Sequence, residues 1–222
     1  MAIAKTTRSP RGRRPAEQGP AREDILRAAI GSFAEHGFEG AKIAEIARRA
    51  GVRHPLVSYY FNDKESLWDA ALEQVWSEFW RSFGDAAAEL QGIEPRQRLR
   101  LLYRRYVLFS AQHPELHRLV ANESFSPGAR LDRLVDRYVA PFQAAILKLI
   151  EEATQIENPP DPLYVMSMLN GAVLSFIAGA PLVQRVHNID STEQSRALAM
   201  ADAVVDVVLH GIAKEKDARL PD

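Results

Sequence analysis

Arg53, His54, Ser58, Tyr59 and Tyr60 fall within eight residues and bring together a permanent cation, hydrogen-bond donors and flat aromatic surface. Groups of these types reach phosphate oxygens, base edges and thymine methyls, so the chemistry they suit is nucleic-acid contact. Lys42 and Lys64 stand at the starts of expected helices, where unpaired backbone N–H groups also attract an anion. A solvated surface charge is the competing reading of each lysine, and their common position weakens it. A second cluster, His113 and His117 with Glu115 and Glu123 nearby, has the spacing of a two-histidine metal pair. Pro114 places His113 at or before a helix cap, which undercuts a shared face and favours surface or ligand-lining histidines. The chain has no Gly-rich phosphate loop, nucleophile elbow or HExxH motif, and no cysteine for thiolate catalysis or disulfides. No cofactor, metal or enzymatic activity is therefore expected.

These groups need a scaffold, and the apolar spacing supplies one. Ile25, Ala28, Ala29, Ser32 and Phe33 form one helical stripe that ends at Gly37, and Ile43, Ile46, Ala47 and Ala50 form a second, shorter one. Pro55 sits in the first turn of a third helix that reaches about Tyr60, and the Ala50-Gly51-Val52 turn between the two is the signature of a helix-turn-helix. The inner faces, with Ile43, Ile46, Ala47, Ala50, Val52 and Val57, are expected to pack under Ile25, Ala29 and Phe33. The outer face of the third helix then presents Arg53, His54, Leu56, Ser58, Tyr59 and Tyr60 to a major groove. Arg22, Ala44 and Pro55 complete the candidate DNA-facing set with Lys42 and Lys64, and at least one of Tyr59 and Tyr60 is expected to be partly buried. A longer fourth helix, capped by Asn62 or Asp63, runs to about Gly84, and further helices are predicted at about 95–112, 115–124, 128–156, 161–187 and 191–214. Pro141 should bend or interrupt the third of these. No period-two strand pattern competes, so the fold is all-α, with about nine helices.

Hydrophobic residues make up 46% of the 222, enough for a substantial core, and the net charge is only -1. That balance hides an asymmetry: residues 1–64 carry 12 Lys and Arg against 7 Asp and Glu, and the remainder is net acidic. A basic end suits phosphate while an acidic body does something else. Residues 1–20, rich in Arg, Pro and Gly, are expected to be a flexible basic arm. They lack the apolar centre of a secretory signal, and the apolar stretch from Met166 to Leu182 is too interrupted by polar residues and glycines for a membrane span, so the expected location is the cytoplasm.

Residues 37–72, GFEGAKIAEIARRAGVRHPLVSYYFNDKESLWDAAL, resemble the DNA-binding segment of the tetracycline-repressor (TetR) family. The likeness rests on Gly37-Phe38, Ile46-Ala47, Ala50-Gly51-Val52, Tyr60-Phe61, Lys64-Glu65 and Leu67 taken together. Three positions depart from the family pattern. Lys42 replaces a capping Thr or Ser, Arg53 replaces a Ser or Thr after the turn, and Ser58 replaces a tyrosine. The basic residue at 42 and the Tyr59-Tyr60-Phe61 ending resemble the subgroup that includes the pyrimidine-utilisation regulator. These departures bear on which operator is read, and among the aromatics the resemblance favours Tyr60 as a DNA contact.

The resemblance implies a helix-turn-helix domain over residues 21–67, an effector-binding and dimerisation domain over 68–215, and a short tail at 216–222. It implies a ligand-responsive repressor that binds a palindromic double-stranded DNA operator as a homodimer through the last two long helices and is released by a small-molecule effector of unknown identity. The residues are compatible with this. Met166, Leu169, Val173, Leu174 and Ile177 make one broad apolar face, and Leu198, Ala201, Val204, Val205, Val208, Leu209 and Ile212 make another. By the same resemblance, the ligand pocket is expected among Trp76, Trp80, Tyr103, Tyr106, Phe125, Phe142 and Met166, with Asn122, Glu123 and Asn170 as polar anchors, although ordinary core packing also explains such aromatics. The alternatives are a non-specific DNA-coating protein, which the acidic body opposes, and a helical metal-dependent enzyme built on the histidine pair.

Overall fold

The computed structural model describes residues 18–155 and 159–214, and every regular element among them is helical. In chain order these are α1 (Gln18–Gly40), α2 (Ile43–Arg49), α3 (His54–Tyr60), α4 (Lys64–Glu89), α5 (Pro95–Gln112), α6 (Pro114–Ser124), α7 (Ala129–Leu134), α8 (Ala140–Ala153), α9 (Pro162–Val173), α10 (Ala180–His187) and α11 (Gln194–Lys214). Two π turns, Val135–Val139 and Leu174–Ala178, join α7 to α8 and continue α9.

Gln18, Gly19 and Pro20, expected to belong to a flexible arm, instead open α1. A proline without an N–H is tolerated there because the first turn of a helix has no carbonyl partner to offer it. Residues 1–17 and the expected tail at 216–222 lie outside the described residues. The run of α1 is broken at Gly37, whose φ of 66° only glycine adopts without strain. Helix α4 passes the expected stop at Gly84 and continues to Glu89, because Ala86, Ala87 and Ala88 favour helix strongly enough to carry one exposed glycine.

Helix α1 packs against α4, α6 and α2, and with α3 it closes a small head. Ile25, Ala29, Phe33, Ile46, Val57 and Leu67 are buried in that head, and Phe33 stands edge-on to the buried Trp68 at 5.0 Å. Ile43, Ala50 and Val52, expected inside, are half-buried at its margin. Below, α4 continues into a body where Phe79 meets Phe83, Tyr106, Phe109 and Phe142 ring to ring. Helix α5 is bound to α11 by ion pairs from Arg104 to Asp202 at 3.2 Å and from Arg100 to Asp206.

The long helix predicted over 161–187 is broken at Gly179, and its two parts, Pro162–Ala178 and Ala180–His187, meet at 66°. No single helix among the described residues is long and apolar enough to cross a membrane. The stretch around Pro141 is interrupted, as expected. Pro141 lies in the first turn of α8, directly after the first π turn, whose shifted hydrogen-bond register marks the break.

Candidate functional site

Helix α3 buries one residue, Val57, against the head and exposes most of the others. Arg53 caps it with extended backbone, Pro55 fills its first turn, and Arg53, His54, Pro55, Ser58 and Tyr59 are exposed. Leu56 and Tyr60 are half-buried, and the Tyr60 ring stands edge-on to Tyr59 at 5.3 Å. Gly51, at φ 66°, makes the tight turn that sets α3 across α2. Lys42 is exposed at the start of α2 and caps it without a side-chain hydrogen bond, which leaves its ammonium free to reach outward. Ala44 and Arg22 are exposed too, the latter with its guanidinium 5.4 Å from the Phe61 ring centroid.

Lys64 stands at the start of α4, as expected. Its Nζ donates to the Glu39 carbonyl at 3.2 Å and lies 4.6 Å from the Phe38 ring centroid, while Asp63 already caps α4 by accepting from the Ser66 N–H at 2.7 Å. The two arginines of α2 are neutralised locally. Glu45 pairs with both Arg48 and Arg49, which push its carboxyl down to about 2, and Arg49 also meets Glu35 at 2.8 Å.

The body holds a partly open cavity of about 430 Å³ between α4, α5, α6, α8 and α9, with Val139 and Leu174 of the two π turns at its wall. Five of the residues expected around a ligand come together there: Trp76, Tyr106, Phe142, Met166 and Asn170. The others do not line it. Tyr103 borders a small adjoining space and donates to the Leu169 carbonyl at 2.9 Å. Trp80 packs edge-on against Phe79 and Phe142. Phe125 is 86% exposed in the turn after α6. Asn122 donates to the carbonyls of Phe33 and Ala34 in α1, at 3.3 and 3.2 Å. Glu123 is 2% exposed and lies 3.4 Å from the Nε of Arg130.

Arg130 is the hub of the junction between head and body. Its guanidinium stacks 3.9 Å above the Phe38 ring and pairs with Glu39 at 3.2 Å, Glu65 at 3.4 Å and the buried Glu123. Arg133 adds a pair to Glu65 at 2.7 Å, and Arg137 and Tyr138 both meet Glu73 of α4.

Phe79 is a cavity residue beyond the expected set, and His117 lines the cavity, one of the two places expected for the histidines. The histidines do not form a pair. His113 stacks on Phe109 at 4.3 Å and faces Glu115 and Glu78, whereas His117 turns to Ser110 at 2.7 Å. Burial drives the His117 ring down to about 4, so it is neutral at pH 7, while the Glu115 hydrogen bond raises the pKa of His113. No group of three or more His, Asp or Glu among the described residues could hold a metal ion.

A family model described as "Bacterial regulatory proteins, tetR family" matches residues 25–71, and one described as "HTH-type transcriptional dual regulator CecR, C-terminal domain" matches residues 95–212. The chain is 27% identical over 213 residues to the HTH-type transcriptional regulator RutR of Escherichia coli, covering 90% of this chain and 94% of that protein. It is 29% identical over 138 residues to the HTH-type transcriptional repressor NicS of Pseudomonas putida, covering 62% of this chain and 64% of that protein, less than two thirds of it. Solved structures with the same fold include a transcriptional regulator FadR from Bacillus subtilis in complex with stearoyl-CoA, at TM-score 0.64 and 17% identity, covering 85% of this chain and 98% of that one. A TetR-like transcriptional regulator from Rhodococcus matches at TM-score 0.64 and 19% identity, covering 87% and 96%.

Proposed function

The chain belongs to the TetR family of bacterial regulatory proteins, and on that premise we propose that it represses transcription by binding a palindromic operator as a homodimer and lets go when a small molecule enters the cavity of the body. Residues 21–67 serve as the reading head and 68–215 as the sensing and dimerising body. Arg53, His54, Tyr59 and Tyr60 contact the groove, with Arg22, Lys42, Ala44, Pro55 and Leu56 flanking them. Lys64 acts mainly by bracing the head through Phe38 and Glu39.

One observation carries this reading: α6 belongs to both sites. Val120, Ala121 and Ser124 line the cavity, while Asn122 holds two carbonyls of α1 and Glu123 holds Arg130 against Phe38. Helix α4 is shared in the same way, with Trp76 and Phe79 at the cavity and Glu65 in the arginine cluster at its head end. A ligand that displaces α6 or α4 therefore strains the contacts that orient α3. Only a difference in affinity between the operator-competent and released arrangements can do this.

The homodimer uses the outward side of the C-terminal helices. Met166, Leu169, Val173, Ile177, Ala201, Val205, Val208 and Leu209, whose faces suggested the interface, are buried within the chain, because α11 and α9 first complete its own core. Tyr164, Met168, Leu182, Val186 and Val207 are each more than half exposed and provide the apolar surface that remains. Selection from random DNA tests the whole reading. It should return a twofold-symmetric site, whereas recovery without any sequence preference would favour a non-specific DNA-coating protein.

A further inference from the structure

Every side chain lining the cavity is uncharged: it contains no Lys, Arg, Asp or Glu, and its one histidine is neutral at pH 7. The hydrogen bonds around it leave specific groups unused. Tyr106 donates to the Asn170 Oδ1 at 3.1 Å, which orients the carboxamide and leaves its N–H groups without an acceptor among the described residues. Ser110 Oγ lies 2.7 Å from both the Tyr106 carbonyl and the His117 Nε2, and with its one proton given to the carbonyl, the His117 Nε2 carries the hydrogen. The His117 Nδ1 then keeps its lone pair as an acceptor. The buried indole N–H of Trp76, another wall residue, has no partner either. The rings of Phe79, Tyr106 and Phe142 also line the cavity and suit a flat apolar body.

We propose that the cavity takes an uncharged, ring-bearing molecule that accepts a hydrogen bond from Asn170 and donates one to His117, and that it rejects the anionic counterpart of the same molecule. An anion entering here would lose its water and find no cation in the wall to replace it. The stearoyl-CoA in the FadR complex carries charged phosphates, so the likeness of fold does not extend to a likeness of ligand chemistry. This inference rests on the reading of the cavity as the effector site.

Matched pairs of probes test it. Benzamide against benzoate, and 2-naphthamide against 2-naphthoate, share ring and size but differ in charge, and each is titrated calorimetrically into the full chain at pH 7.5. At least one amide should bind with a Kd tenfold or more below that of its carboxylate. Asn170→Leu should weaken that amide about fivefold or more, with circular dichroism checking that the variant remains folded. A carboxylate that binds as tightly as its amide, or no binding by any of the four at millimolar concentration, overturns the proposed ligand class. Operator binding measured with the bound amide separates the two ideas. If the amide binds as expected and operator affinity does not change, the ligand class stands and the effector reading falls.

Discussion

Glu123 is a carboxyl at 2% exposure, and burial raises its pKa, with Arg130 as the chief opposing influence. Removing the guanidinium strands it. Arg130→Ala should lower the unfolding free energy by about 3 kcal/mol, and adding Glu123→Gln should recover much of the loss, both measurable by urea denaturation. His117 acts over a different pH window. Its pKa of about 4 in the fold lies below the ordinary 6.5, so between these values the unfolded chain binds a proton that the folded chain does not. Its contribution is whole above 6.5 and lost as the pH falls to about 4, amounting to at most about 3 kcal/mol. His113, with its raised pKa, contributes in the opposite sense, present at low pH and lost as the pH rises. Comparing wild type with His117→Asn across this range therefore isolates one group: the variant should lose less stability on acidification. Trp76, Tyr106 and Phe142 were legible as cavity residues because rings on inner helical faces go inside, while Phe79 was not among those expected. The polar residues from 122 to 124 were not legible, since neighbours on a helix point about 100° apart and one sequence does not reveal which of them meets α1 and which the cavity.

At the scale of elements, the breaks at proline and glycine located most helix ends. The π turns escaped notice because they change the hydrogen-bond register without requiring a particular residue. Gly179 is the instructive break. A Cβ there would stand 2.4 Å from the Ser175 carbonyl oxygen, whereas one at Gly171 would meet nothing within 4 Å. Gly179→Ala should destabilise the chain by about 2 kcal/mol or more in thermal or urea unfolding, and Gly171→Ala should be neutral or stabilising by up to about 1 kcal/mol. Helix α3 supports a second comparison. Substituting alanine at His54 or Tyr59 should shift the preferred sequence in a DNA selection, because both are exposed on its outward side. Alanine at Lys42 should instead weaken binding alike on all sequences and lower the salt slope by about 1. The departures from family pattern at 42, 53 and 58 all fall on or beside the proposed reading surface, so the sequence identified the module and left its operator open.

For the whole molecule, one short recognition helix reads little DNA, and two related by a dyad read a site of useful length. In the proposed dimer, the exposed apolar residues of α9, α10 and α11 are the surface on which that dyad depends. Leu182→Asp combined with Val186→Asp should convert a dimer into a monomer at micromolar concentration by light scattering. The same change should lower operator affinity by about two orders of magnitude in a gel-shift titration, through lost bivalency.

On the proposed reading, in which the effector enters the cavity, α6 touches both cavity and head and the coupling runs in both directions. Whatever factor the ligand takes from operator affinity, the operator takes from ligand affinity. Molecules already seated on DNA are then poorer sensors than those in free solution, so the unbound pool fills first and the promoter responds only after that reserve has been saturated. The number of copies in the cell, rather than the cavity alone, sets the concentration at which the gene turns on.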